Sequence, residues 1–172
     1  TICYLAFQAK PWASVSGNIY TGDDNSYYGY VSSIVNDLDF DFSNNEITGH
    51  NGISPETGKI ILMHPIGTSV LLIPFYAIAK PFVCVISWVS NAPFDQRHVV
   101  FFMFMCGGIL FYAYGGGYFF LKTLIMLGVN EKNAIISVLL TIWGTILPAY
   151  IFKRPIFTPI PQFFLISLFV YY

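Results

Sequence analysis

The amino-acid sequence predicts an all-α integral membrane protein, a multi-pass helical bundle with an external loop that carries a short juxtamembrane helix. Two observations support this fold class. Of the 172 residues, 55% are hydrophobic and 10% are charged, whereas about 25% of the residues in an average soluble domain carry a charge. The few charges also leave apolar runs long enough to cross a bilayer, which takes about 20 helical residues.

The same composition excludes several classes of protein. A chain with this hydrophobic content is neither disordered nor an ordinary cytosolic enzyme. Its 8 basic and 9 acidic residues provide no basic surface for DNA or RNA, so we expect no nucleic-acid partner. The three cysteines, Cys3, Cys84 and Cys106, share no metal-ligand spacing and indicate neither a zinc site nor a disulfide framework.

Charge-free runs predict the membrane helices, because every backbone polar group in lipid must be bonded within its own segment. Pro74 and Pro81 interrupt the first complete run, which predicts a kink or a break. Gly107–Gly108 and Gly115–Gly117 predict close packing between helices. The predicted spans are the end of a first helix at 1–9 and helices at about 65–90, 98–127, 133–152 and, truncated by the end of the chain, 161–172.

Residues 10–64 form the predicted external loop, which contains seven of the nine acidic residues. Within it, apolar residues recur at spacings of three and four from Tyr27 to Leu38, which predicts an amphipathic helix. Its N-cap is expected among residues 24–26, and turns are expected at 43–45 and 49–52.

The orientation of the predicted spans follows from the charges of the loops. If the 10–64 loop lies outside the membrane, the loops at 91–97 and 153–161 lie inside. Those inner loops carry Arg97, Lys153 and Arg154, in agreement with the positive-inside rule. If Pro74 and Pro81 instead mark a re-entrant hairpin, the later loops invert.

Both ends of the chain predict a fragment of a longer protein. Thr1 is not an initiator methionine, and the chain stops at Tyr172 within an apolar run. We therefore expect the natural protein to continue in both directions.

Two adjacent carboxylates, Asp23 and Asp24, are the first candidates for chemistry. They follow Gly22 in the acidic loop, close to a predicted membrane surface. A carboxylate pair at such a position can act as a general base and as a cation ligand. The alternative is a solvated turn that caps the next helix, since acidic residues are common at helix starts.

Two further features of the loop have both a functional and a structural interpretation. Asp37, Asp39 and Asp41 alternate along the chain and can bind a divalent cation through oxygen, or they can form a solvated helix end. His64 precedes Pro65 where the loop meets the next span. It can hold a phosphate or transfer a proton, or it can serve as an interfacial anchor. A divalent cation is therefore possible, and its ligands remain unassigned.

Several short segments occur in an order that resembles a known family. Residues 22–28 read GDDNSYY, residues 35–41 read VNDLDFD, residues 64–68 read HPIGT, and residues 72–76 read LIPFY. This order resembles the N-terminal part of the membrane-embedded glycosyltransferases of the C superfamily, which use polyprenyl-phosphate-linked sugars and include the protein O-mannosyltransferases. Residues 143–145 and 155–159 stand where bacterial members have G-T-P and P-x-x-S-H. Here the histidine and the proline after Gly-Thr are absent, and Asp24 stands where glutamate is usual.

The resemblance implies the inverting transfer of one sugar from a polyprenyl-phosphate donor to an acceptor at the outer face of a bacterial plasma membrane. Asp23 would be the general base, and Asp24 would orient the acceptor or share a cation. His64 would contact the donor phosphate or position the loop. Tyr27, Tyr28 and Asp39 would complete the substrate-binding residues. The implied partners are the lipid-linked sugar, membrane lipid and an acceptor of unknown class (glycan, lipid or protein), and we expect the fragment alone to be inactive.

Two other functions remain open at this point. A secondary transporter would use broken helices at Pro74 and Pro81 to flank a midplane site. Lys80 and Lys122 are the main ionisable groups of the spans, and both can reach an interface, which weighs against transport. A non-catalytic scaffold would bind a partner through the 10–64 loop without requiring Asp23 or Asp24.

Overall fold

A computed structural model describes residues 23–43, 51–95 and 98–172. The predicted helix end at 1–9, Gly22 and part of the 10–64 loop lie outside these residues. In the part that is described, the protein is mainly helical. Two of its helices are long and apolar enough to cross a membrane.

The described elements follow one another in a simple order. A polar helix precedes a small hairpin, and the long apolar helices come after it. The elements are α1 (Asp23–Ser32), a π-helical segment (Ser33–Asp37), β1 (Asn51–Ile53), β2 (Ile60–Leu62), α2 (Gly67–Ser90), α3 (Val99–Met126), α4 (Glu131–Trp143), α5 (Leu147–Phe152) and α6 (Pro159–Tyr171).

Helix α1 and its π-helical extension correspond to the predicted juxtamembrane helix, and they end at Leu38, which is left-handed with φ 58°. The N-cap predicted at residues 24–26 is wrong, because these residues lie inside the first turn. The predicted amphipathic pattern is also wrong. Polar residues as well as Tyr27, Tyr28 and Val31 are buried, so burial is not confined to one apolar face of α1.

A two-stranded hairpin separates α1 from α2 and corrects the all-α prediction. Gly52, predicted in a turn, lies in β1 and pairs with Ile61 of the antiparallel strand β2. The connecting turn lies at 54–58 instead, where Gly58 takes a φ of +66° that glycine adopts without a steric penalty.

Helix α2 runs without a break from Gly67 to Ser90. Its two internal prolines lie two turns apart on one exposed face. Because the helix continues through both prolines, the prediction of a break is wrong. Only 28% of its most apolar 18 residues are buried, against 50% in α3. The core helix of a soluble protein is apolar and buried on most sides, so the exposed apolar face of α2 favours contact with lipid.

Helix α3 is the central element of the bundle. Its first half runs antiparallel to α2, where the Tyr112 hydroxyl donates to the Leu71 carbonyl at 2.7 Å. Its second half packs against α4 and α6. A Cβ atom added at Gly116 would lie 2.6 Å from the Phe163 ring of α6, so this glycine permits the close approach predicted for it.

The predicted span at 133–152 is wrong, because it divides into two short helices. Helix α4 has 13 residues and is about 20 Å long, which is too short for a bilayer core of about 30 Å. The chain turns at 144–146, and α5 begins at Leu147 with Pro148 as its second residue. As a result, Thr158 reaches Tyr27, with 2.5 Å between their hydroxyl oxygens. This contact places α1 of the 10–64 region beside the 153–161 segment.

We predict that Gly116→Ala destabilises the bundle while Gly107→Ala does not. A Cβ at Gly116 would contact the Phe163 ring at 2.6 Å and the Phe164 Cα at 3.2 Å, whereas nothing lies within 4 Å of one at Gly107. Overpacking costs about 1–3 kcal/mol, which unfolding of the purified protein in detergent measures. Equal stability of the two variants would contradict this packing.

Candidate functional site

The first turn of α1 and the residues just before α2 bring Asp23 and His64 together. The Asp23 Oδ1 and His64 Nε2 atoms lie 3.3 Å apart, with 35% of the aspartate and 24% of the histidine side chain exposed. At this distance His64 contacts one of the two Asp23 carboxylate oxygens, and both oxygens of a carboxylate can accept hydrogen bonds. The pair is partly open, so a ligand can approach the carboxylate.

Asp24 does not share this opening with Asp23. Only 2% of Asp24 is exposed, because successive residues of a helix point about 100° apart. Among the described residues, no group of three or more His, Cys, Asp or Glu side chains is arranged to hold a metal ion. The two carboxylates therefore differ in environment, and Asp23 alone is accessible.

Tyr27 connects the Asp23–His64 pair to the rest of the bundle. It lies one helical turn after Asp23, and its ring centroid is 5.4 Å from that of His64. Its hydroxyl pairs with that of Thr158, and the Ser69 hydroxyl donates to its carbonyl oxygen at 3.0 Å. Burial raises the pKa of the Tyr27 phenol; the Thr158 hydrogen bond opposes this shift, while the charges of Asp23 and Asp24 add to it. Tyr27 therefore keeps its proton at neutral pH.

The loop between α5 and α6 packs against Tyr27 through Phe157, and it carries the cationic Arg154. Phe157 contacts the Tyr27 ring edge to face at 6.3 Å and stacks on Tyr150 at 5.3 Å. The Arg154 guanidinium carbon lies 5.9 Å from the centre of the Phe157 ring, and Arg154 is exposed. The sequence analysis missed Arg154 and Thr158 as site residues because it assigned their loop to the opposite face.

Tyr28 faces the interior of the bundle rather than the opening. It is 2% exposed, and its hydroxyl oxygen lies 3.4 Å from that of Tyr76 in α2. Asn36 Nδ2 donates to the same Tyr76 oxygen at 2.9 Å, and Lys80 Nζ donates to the Val35 carbonyl at 3.0 Å. These bonds fasten α1 and its π-helical extension along the first half of α2.

Asp39, predicted to bind substrate, makes local contacts. Its Oδ1 accepts hydrogen bonds from the Ser33 hydroxyl at 3.0 Å and from the Asp41 backbone N–H at 3.1 Å. Hydrogen bonds from Ser43 and the nearby Lys59 ammonium lower the pKa of the exposed Asp41 carboxyl. In the structure these carboxylates stabilise the turn that follows the π-helical segment.

The structure thus brings together three of the six predicted site residues, Asp23, Tyr27 and His64. It places Asp24 and Tyr28 in the interior and Asp39 in a surface turn. None of the family models, curated proteins or solved structures compared with the chain matches it. A function must therefore be inferred from the chemistry of the site residues.

We predict that Tyr76→Phe weakens the attachment of α1 to α2. The change removes the hydroxyl that accepts from Asn36 and lies 3.4 Å from the Tyr28 hydroxyl. Leaving a buried donor unsatisfied costs about 1–3 kcal/mol. Unfolding in detergent measures the loss, and Tyr114→Phe, at a side chain 77% exposed, is the matched control. Identical stability of both variants would show that the Tyr76 hydroxyl does not hold α1.

Proposed function

We propose that this chain is the N-terminal part of a multi-pass membrane glycosyltransferase that moves a sugar from a polyprenyl-phosphate donor to an acceptor hydroxyl. The observation that carries the proposal is the partly open Asp23–His64 pair, at 3.3 Å, directly before an apolar helix long enough to cross a bilayer. Such a position suits a reaction between a donor held in lipid and an acceptor that arrives from water. The plasma membrane of a bacterium is the proposed location.

In the proposed reaction Asp23 acts as the general base. The acceptor hydroxyl gives its proton to the Asp23 carboxylate while its oxygen forms a bond to the anomeric carbon of the sugar. The bond between that carbon and the phosphate oxygen breaks on the opposite side, so the configuration inverts. Polyprenyl phosphate leaves with the electron pair. His64, in contact with one Asp23 carboxylate oxygen at 3.3 Å, keeps Asp23 in the orientation that proton transfer requires.

The reaction also requires a group that stabilises the negative charge on the departing phosphate. The exposed Arg154 is the cation beside the Phe157 ring, which contacts Tyr27. A guanidinium binds phosphate through two parallel hydrogen bonds. We therefore assign phosphate binding to Arg154.

Replacement of the proposed base is the direct test of this function. Asp23→Asn keeps the shape of the side chain but removes its basicity, so transfer should fall by about 10²–10⁴-fold. The assay uses the full-length natural protein in membranes with radiolabelled undecaprenyl-phosphate mannose and undecaprenyl-phosphate arabinose. Glu56→Gln, an exposed acid of the hairpin turn, is the matched control and should retain activity.

Retained transfer in Asp23→Asn would remove Asp23 as the base. Absence of transfer by the wild-type protein from both donors, together with solute uptake into proteoliposomes, would favour a transporter instead. Absence of both activities would favour the scaffold.

The phosphate assignment predicts a different kinetic effect. Arg154→Gln should raise KM for the lipid donor by about tenfold or more, since a hydrogen bond to a charged group contributes about 1.5–3 kcal/mol. Lys132→Gln, which removes an exposed cation of α4, should leave KM unchanged. An equal effect of the two variants would indicate general attraction to charged lipid rather than a specific contact.

A further inference from the structure

We propose that Thr158 is a positioning residue that sets the orientation of Asp23 through Tyr27 and His64. This inference rests on the function proposed above. It assigns a role to the junction between the α5–α6 loop and α6, a part of the chain distant in sequence from the proposed base.

A continuous series of contacts leads from Thr158 to Asp23. The Thr158 hydroxyl oxygen lies 2.5 Å from the Tyr27 hydroxyl oxygen, across 131 residues of sequence. The Tyr27 ring packs against the His64 imidazole at 5.4 Å with 54° between their planes. His64 Nε2 then lies 3.3 Å from Asp23 Oδ1. A displacement of the Tyr27 ring would therefore change the imidazole that orients the base.

The local geometry of Thr158 indicates that its hydroxyl serves this contact rather than its own helix. Thr158 occupies the N-cap position of α6, yet its side chain makes no capping hydrogen bond. Threonine at this position ordinarily accepts from the N–H of the second or third helical residue. Here the third helical residue is Pro161, which has no N–H, and the Thr158 hydroxyl makes no hydrogen bond to the second, Ile160, because the Thr158 backbone is itself helical (φ −56°, ψ −34°) rather than extended as at a usual N-cap. The hydroxyl is thus directed to Tyr27.

Tyr27 makes a second hydrogen bond, through its backbone, that does not depend on Thr158. The Ser69 hydroxyl of α2 donates to its backbone carbonyl at 3.0 Å, so the Tyr27 backbone stays in place when Thr158 changes. The Tyr27 ring then loses the hydrogen bond to Thr158, while α1 keeps its hydrogen bond to Ser69. Loss of the Thr158 hydroxyl should therefore alter the catalytic step more than the fold or donor binding.

The test compares Thr158→Val, Thr158→Ser and Thr123→Val in the full-length protein with the same two radiolabelled donors. Displacement of a reacting group by about 1 Å costs as much as 10²-fold in rate, so Thr158→Val should lower kcat by about tenfold or more and change KM by less than about twofold. Thr158→Ser keeps the hydroxyl and should restore most of kcat. Thr123→Val removes a hydroxyl that bonds to the Phe119 carbonyl within α3 and should have no effect on kcat.

A second measurement separates this inference from the proposed function. Diethyl pyrocarbonate modifies accessible histidine nitrogens, and peptide mass spectrometry gives the modification rate of His64. Loss of one hydrogen bond should raise that rate by about fivefold in Thr158→Val and leave it unchanged in Thr158→Ser and Thr123→Val. If wild-type protein transfers neither sugar but this pattern holds, the proposed function fails and the positioning contact stands.

Three results would overturn the inference. In the first, Thr158→Val matches wild type in both kcat and His64 modification. In the second, Thr158→Ser is as impaired as Thr158→Val, which would show that the hydroxyl is not the group that matters. In the third, kcat falls only in proportion to a lower unfolding temperature, which would indicate a purely structural role.

Discussion

The burial of a polar helix beside an apolar one is the constraint on which the rest of the structure depends. Helix α1 lies along the first half of α2, where its polar groups have little access to water. Each buried polar group must then find a partner within the protein, since an unmet one is costly. Tyr27 bonds to Ser69 and Thr158, and Asn36 bonds to Tyr76. These bonds determine the depth and rotation of α1, and with them the position of Asp23.

The short length of α4 determines which residues of the α5–α6 loop lie near Tyr27. A continuous span at 133–152 would have carried the following loop to the far side of the membrane. Because α4 ends at Trp143 and α5 begins at Leu147, the chain instead returns to the level of Tyr27. Four small residues of α3 make this possible, since the glycines at 108 and 115–117 allow α2, α4 and α6 to approach closely. Arg154 and Thr158 thereby reach the site.

The sequence predicts the long helices well because their signal is local. Absence of charge over twenty residues is visible directly, and α2 and α3 lie within three residues of their expected limits. The end of α4 at Trp143 cannot be predicted from the absence of charge, because Gly144 ends the helix while the charge-free run continues. The burial of α1 and the three-residue strands depend on contacts distant in sequence, which a pattern of spacing does not contain. The order of motifs singled out both Asp23 and His64, whereas the Thr158 contact depends on the tertiary path of α4.

The central proposal is that Asp23 and His64 belong to the active site of an enzyme that uses a lipid-linked sugar. Electron cryo-microscopy of the full-length protein in lipid nanodiscs, with an undecaprenyl-phosphate sugar bound, tests it most directly. The claim predicts the phosphate at Arg154, the isoprenoid chain in the bilayer, and the anomeric carbon facing the Asp23 carboxylate. Density for the donor elsewhere in the bundle, with Asp23 remote from the sugar, would contradict it.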